Sequence, residues 1–182
     1  TATEACSCAL WLDGEVVSHF ELAPRKHTKL ILPMIDQLLV DSGVAKSSLD
    51  AIAFGRGPGS FTGVRIAVSM AQGIAFSLGR PVVPVSTLAA LAQQAIQEYQ
   101  ADKVISLMDA RMGEVYHALF SADEHGIARP ISEERVIKPD LVEPPEGQGW
   151  ISLGSGWTAH GEMLSGILGD HVSAISWGLE QF

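Results

Sequence analysis

Positive charge is scarce in this sequence: 12 lysines and arginines stand against 21 aspartates and glutamates, a formal net charge of −9 over 182 residues. That balance excludes a broad basic surface, and with it unaided binding of nucleic acid through its phosphates. Cysteine is nearly absent. Cys6 and Cys8 lie two apart in a strand-like segment, point the same way and are too close for an ordinary disulfide, so the reducing cytosol is the expected compartment. No apolar run approaches the ~20 residues of a membrane span, no signal-peptide pattern opens the chain, and no membrane contact is expected. The six histidines are scattered, with no pair at i, i+3 or i, i+4, so no helical metal motif exists and no metal is expected. What is plentiful is apolar side chain, 47% of the residues, ample for one large domain or two small lobes.

The chain is organised around residues 50 to 78. Asp50 to Phe54 is short and β-prone. Gly55-Arg56-Gly57-Pro58-Gly59-Ser60 then forbids regular structure, and an apolar run follows to Leu78 at helical spacing. A strand, a tight turn and a helix are predicted, with Ser60 or Thr62 as cap. Free N–H groups at such a helix start suit an anion. Tight turning and close packing explain the same glycines equally well. The two common phosphate signatures fail: Gly63 is followed by Val64 and Arg65 rather than Lys-Ser/Thr, and a dinucleotide fingerprint from Gly57 needs glycine where Thr62 stands.

Before this stretch, Cys6–Leu12 and Glu15–Leu22 read as strands joined by Asp13-Gly14, a strong hairpin signal. Residues 25 to 42 read as a helix stopped by Gly43, with Leu30, Ile31, Met34, Ile35, Leu38 and Leu39 as its apolar face and Pro33 as a kink or a late start. Arg25, Lys26, His27 and Lys29 crowd its start against the helix dipole, which suggests a partner, an anion or simply a solvated end. The helix from Phe61 to Leu78 carries two apolar stripes, so the first helix or another protein must cover the second. Val82–Val85 is a short strand, Leu88 to Tyr99 a helix capped by Ser86 or Thr87. A second lobe starts near Lys103, with strands at Val104–Met108 and Glu114–Ser121, an extended stretch through Ile137, a strand at Trp150–Leu153 and a helix at Thr158–Leu168. Gly154-Ser155-Gly156 is a second candidate phosphate turn. No nucleophile–base pair is visible, and Asp109, Arg111 and Glu114 read as a structural turn or, less simply, as a carboxylate pair.

Gly55 to Ile66, Ala71-Gln72-Gly73, Val85 to Leu88, Pro24-Arg25 with His27-Thr28 and Leu32-Pro33-Met34, and Asp109 to Tyr116 together resemble the bacterial TsaB (YeaZ) family, from Thr1 to about Trp157. The resemblance implies an α/β fold of the two-lobe actin/hexokinase/Hsp70-like (ribonuclease H-like) class. Its first lobe would be β-β-β-α-β-α-β-α over residues 1–101, with a smaller lobe over 102–182. It also implies that a first strand ending in aspartate is missing before Thr1 and that the carboxyl end is incomplete. In function it implies a cytoplasmic, non-catalytic scaffold for tRNA threonylcarbamoyladenosine modification. Such a scaffold binds the catalytic sister TsaD and the ATPase TsaE, pairs with itself through the same surface, and meets tRNA only through the complex. The expected partner-binding residues are His27, Leu30, Ile31, Met34, Ile35 and Leu38, with Val64, Arg65, Val68, Met70 and Ala71. Gly55, Arg56, Gly57, Pro58, Gly59, Ser60, Asp109, Arg111 and Glu114 form the family's signature turns. No cofactor is expected on this chain alone. ATP or ADP is a candidate at the junction with TsaD or TsaE; Thr1, Thr3, Gly154, Ser155 and Gly156 are candidate nucleotide contacts, the ones that the rival phosphotransferase reading below requires. The sister family's two metal-binding histidines fall here on Thr87 and Leu91, which cannot replace them. The rival reading is an ATP-dependent phosphotransferase of the same fold class, with a protease and a self-associating structural domain behind it.

Overall fold

The computed structural model describes residues 1–175; the last residues of the expected second lobe, 176–182, lie outside them. The described chain divides into two compact units, one through Val85 and one from Ser86 onward.

In the first unit, β1 (Ala5–Leu12) and β2 (Glu15–Leu22) form an antiparallel hairpin in which Cys6 faces Glu21 and Leu10 faces Val17. Its loop is Asp13-Gly14, both with positive φ, the signature of a type I′ turn. Helix α1 (His27–Asp41) packs on this hairpin, keeping Pro33 in its interior. Proline has no N–H, so the carbonyl one turn earlier, at Lys29, loses its helical donor. A second two-stranded sheet joins β3 (Ile52–Gly57) and β4 (Val82–Ser86), with α2 (Phe61–Leu78) between them in sequence and packed on β3. One small core, Cys6, Ala23 and Ile31, is sealed by Leu30, Met34 and Ile35 of α1 and by Ile66 and Met70 of α2, so α1 covers part of the second apolar stripe. Among the described residues, only α2 has the length and mean hydropathy, 1.3, to cross a bilayer, but it packs on β3.

The second unit is a six-stranded sheet in the order β10-β9-β5-β6-β7, with β8 also on β6. Its strands are β5 (Lys103–Arg111), β6 (Glu114–Ala122), β7 (Ala128–Pro130), β8 (Arg135–Ile137), β9 (Trp150–Leu153) and β10 (Val172–Ile175). Side chains alternate across β5. Ile105 and Leu107 enter a core with Val115 and with Trp157, Leu164 and Leu168 of α4 (Ser155–Leu168). Ser106 turns the other way and donates its hydroxyl to Leu88 O, 2.9 Å, in α3 (Thr87–Tyr99). Helix α3 packs on β5, β6, β7 and β9, so it belongs to this unit rather than to a first lobe ending at residue 101. Its apolar face was legible; the sheet that receives it was not.

Candidate functional site

The glycine-rich turn closes on the chain's own backbone. Ser60 N–H donates to Ala2 O at 2.7 Å, and Thr1 Oγ1 donates to Gly63 O at 2.8 Å. A Cβ at Gly63 would overlap the Thr1 carbonyl oxygen, and one at Gly59 would come within 2.6 Å of Ala2 O. Close chain approach therefore accounts for both glycines, and a donor that would have met an anion serves Ala2 instead. Thr3 Oγ1 accepts from Ala5 N–H at 3.3 Å. Thr1 and Thr3 thus have intrachain partners. Ser60 caps α2 through Gly63 N–H, a long 3.4 Å contact. Gly55 has open space around its Cα, and Pro58 is half-buried beside Gly57, which packs against Val64.

The expected partner-binding residues separate into two groups. Ile31, Leu38 and Ala71 are buried in the chain's own core, and His27 is buried with Nε2 donating to Ala5 O at 3.2 Å. The chain's own fold covers these four. Leu30, Met34, Ile35, Val64, Val68 and Met70 are half-buried, and Arg65 is exposed with its guanidinium 3.3 Å from the Phe61 ring centroid. Leu32 and Phe76 are open to solvent, and Gly73 has nothing within 4 Å of where a Cβ would lie. Leu30, Pro33, Met34 and Gln37 also line an open groove of about 630 Å³ against Ser18, His19, Phe20 and Glu21 of β2.

In the second unit, two stretches far apart in sequence meet. Ser155 Oγ accepts from Asp109 N–H at 3.0 Å, joining the Gly154-Ser155-Gly156 turn to the end of β5. A Cβ at Gly154 would overlap Leu107 O, and one at Gly156 would come within 3.0 Å of the same carbonyl. These glycines seat α4 on β5. Asp109 Oδ1 accepts from Arg111 N–H at 2.9 Å and its Oδ2 lies 3.2 Å from Arg111 Nη1, an Asp–Arg structural turn. Glu114 is half-buried opposite Arg111 in the hairpin register. The positions that correspond to the sister family's metal ligands differ in setting: Leu91 is a core residue of α3 and Thr87 is half-buried in its first turn. Among the described residues no three His, Cys, Asp or Glu side chains converge. His117 is held below the usual histidine range, first by burial and then by Arg135, which faces it on β8.

The family model described as "TsaD: tRNA N6-adenosine threonylcarbamoyltransferase" matches residues 19–149. The chain is 49% identical over 162 residues to the Escherichia coli K12 "tRNA threonylcarbamoyladenosine biosynthesis protein TsaB", covering 87% of this chain and 70% of that one. The Haemophilus influenzae protein of the same name is 44% identical over 170 residues, covering 89% and 72%. Among solved structures, YeaZ from Pseudomonas aeruginosa superposes with a TM-score of 0.83 at 47% identity, covering 90% of this chain and 77% of that chain. A second structure, of an uncharacterized protein with similarity to peptidase YEAZ from the same organism, reaches 0.89 at 44% identity, covering 98% and 82%. The α/β fold is accordingly of the actin/hexokinase-like class, and the chain belongs to the TsaB (YeaZ) family of tRNA threonylcarbamoyladenosine biosynthesis proteins.

Proposed function

We propose that this chain is a non-catalytic scaffold subunit of the threonylcarbamoyladenosine machinery, working in the cytoplasm. It docks the catalytic subunit TsaD through the outer sides of α1 and α2. The observation that carries this reading is the condition of α2. The helix is largely apolar, yet of its 18 residues only Gly63, Ala71 and Ala75 are fully buried. Half-buried Val64, Val68 and Met70 lie on α2, with Leu30 and Met34 on the neighbouring α1. Gly73, open around its Cα, permits another helix to approach closely. An apolar surface of this kind gains about 25 cal/mol for every Å² removed from water. The same face serves self-association when TsaD is absent. TsaE joins the pair, any ATP or ADP belongs to the junction with TsaD or TsaE, and tRNA is met only through the complex.

The test is light scattering after size exclusion, on this chain alone and mixed with TsaD. Gly73→Arg places a long side chain where nothing blocks it, so the fold is kept while helix approach is obstructed. Met34→Glu puts a charge into the same face. Both variants are expected to lose the mixed complex. Normal assembly by both, with unchanged melting, overturns the docking face. ATP turnover by the isolated chain would instead establish the phosphotransferase reading.

A further inference from the structure

Two hairpins in this chain close with two-residue loops at similar left-handed φ, with different residues and, in the second, a β-bulge beside the loop. In β1–β2 the loop residues are Asp13 and Gly14, at φ 51° and 89°. In β5–β6 they are Met112 and Gly113, at 53° and 77°, and Arg111 before them is also left-handed at 65°. Asp suits such a turn because a short polar side chain offsets the left-handed strain; methionine and arginine offer no such compensation. Neither fills a core. The Met112 residue is 97% exposed and the Arg111 side chain 80%.

The strained tip is braced from below. Asp109 holds both the Arg111 N–H and its guanidinium, and Ser155 of α4 holds the Asp109 N–H. Strained backbone persists only where its surroundings over-determine it, and it gathers at binding sites. Methionine and arginine are also the side chains enriched in interface cores, the first for its adaptable shape and the second for its rigid fork.

We infer that Arg111 and Met112 form a second docking point, for a protein partner that offers one carboxylate beside an apolar pocket. This rests on the reading of the chain as a subunit of a larger assembly. Asp109 meets only Nη1 of the guanidinium, and the donors that remain match a single planar carboxylate. A polyanion such as RNA is disfavoured, because Asp109 and Glu114 flank the tip and the chain carries a net charge of −9.

Three variants of the full chain test this: Met112→Asn, Arg111→Ala and Arg111→Lys. Each is melted alone and titrated calorimetrically against TsaD and against TsaD with TsaE. Met112→Asn is expected to raise the melting temperature by about 2–4 °C while weakening assembly about tenfold. Arg111→Ala should weaken it as much, and Arg111→Lys, a point charge without the fork, should fall between. Wild-type affinity in all three variants overturns the docking point, as does a lowered melting temperature in Met112→Asn. So does binding of tRNA by the isolated chain that Arg111→Ala removes. Loss of assembly in Gly73→Arg with normal assembly in the tip variants rejects the tip alone. A wild-type chain that binds neither TsaD nor the TsaD–TsaE pair rejects the scaffold reading and the tip together.

Discussion

At the scale of single residues, one methyl group distinguishes two glycines of the same helix. A Cβ at Gly63 would overlap the Thr1 carbonyl, whereas one at Gly73 meets nothing within 4 Å. Gly63→Ala must push Thr1 and Ala2 off the first turn of α2, straining the Ser60–Ala2 and Thr1–Gly63 hydrogen bonds. An overpacked site of this kind costs about 1–3 kcal/mol. Gly73→Ala should stabilise by about 0.5–1 kcal/mol, since alanine loses less backbone freedom on entering a helix. Urea unfolding measures both, and shifts of the same sign would reject the contrast. That Gly63 serves a turn or close packing could be read from its neighbours. Its contact, Thr1, could not, because 62 residues separate the two and no periodicity links them.

At the scale of elements, the sequence was most legible where a repeating apolar pattern met a local stop signal. The α2 helix runs from Phe61 to Leu78 as its pattern indicates, with Gly79 left-handed at its end. The β1–β2 hairpin follows from Asp13-Gly14. Legibility fell where tertiary contacts set the boundary. Strand β5 extends to Arg111 rather than stopping at Met108 because β6 pairs with it to the tip. Helix α4 starts at Ser155 rather than Thr158, because Gly154 and Gly156 let it settle against Leu107. Strand β10, which the sequence reading did not assign, pairs in parallel with β9. Caps at element ends carry measurable stability. Ser86 Oγ accepts from Ala89 N–H at 3.2 Å, while the Ser60 cap is longer at 3.4 Å. Ser86→Ala should therefore lower stability by about 1 kcal/mol and Ser60→Ala by less. The urea midpoints of the two variants check this order, and equal losses would reject it.

At the scale of the whole chain, composition indicated the class of protein but not its internal division. A net charge of −9 speaks to partners and solubility, not to fold. The apolar face of α3 shows that it must be covered. Only the tertiary packing reveals that β5, β6, β7 and β9 cover it. The sheet order has a consequence in time. β5 and β6 are joined by a two-residue loop, whereas β9, the other neighbour of β5, arrives only at Trp150. Local pairings form before distant ones because shorter loops lose less entropy on closure. Stopped-flow refolding should find Val115→Ala, in the hairpin, slowing folding, and Leu153→Ala, in β9, mainly hastening unfolding. The reverse assignment would reject this sequence of events. During synthesis, Ile105, Leu107 and Val115 emerge well before Trp157, Leu164 and Leu168 exist to cover them. The growing chain therefore passes through an interval with one greasy sheet face bare, when holding chaperones have most to grip and aggregation has its best opportunity.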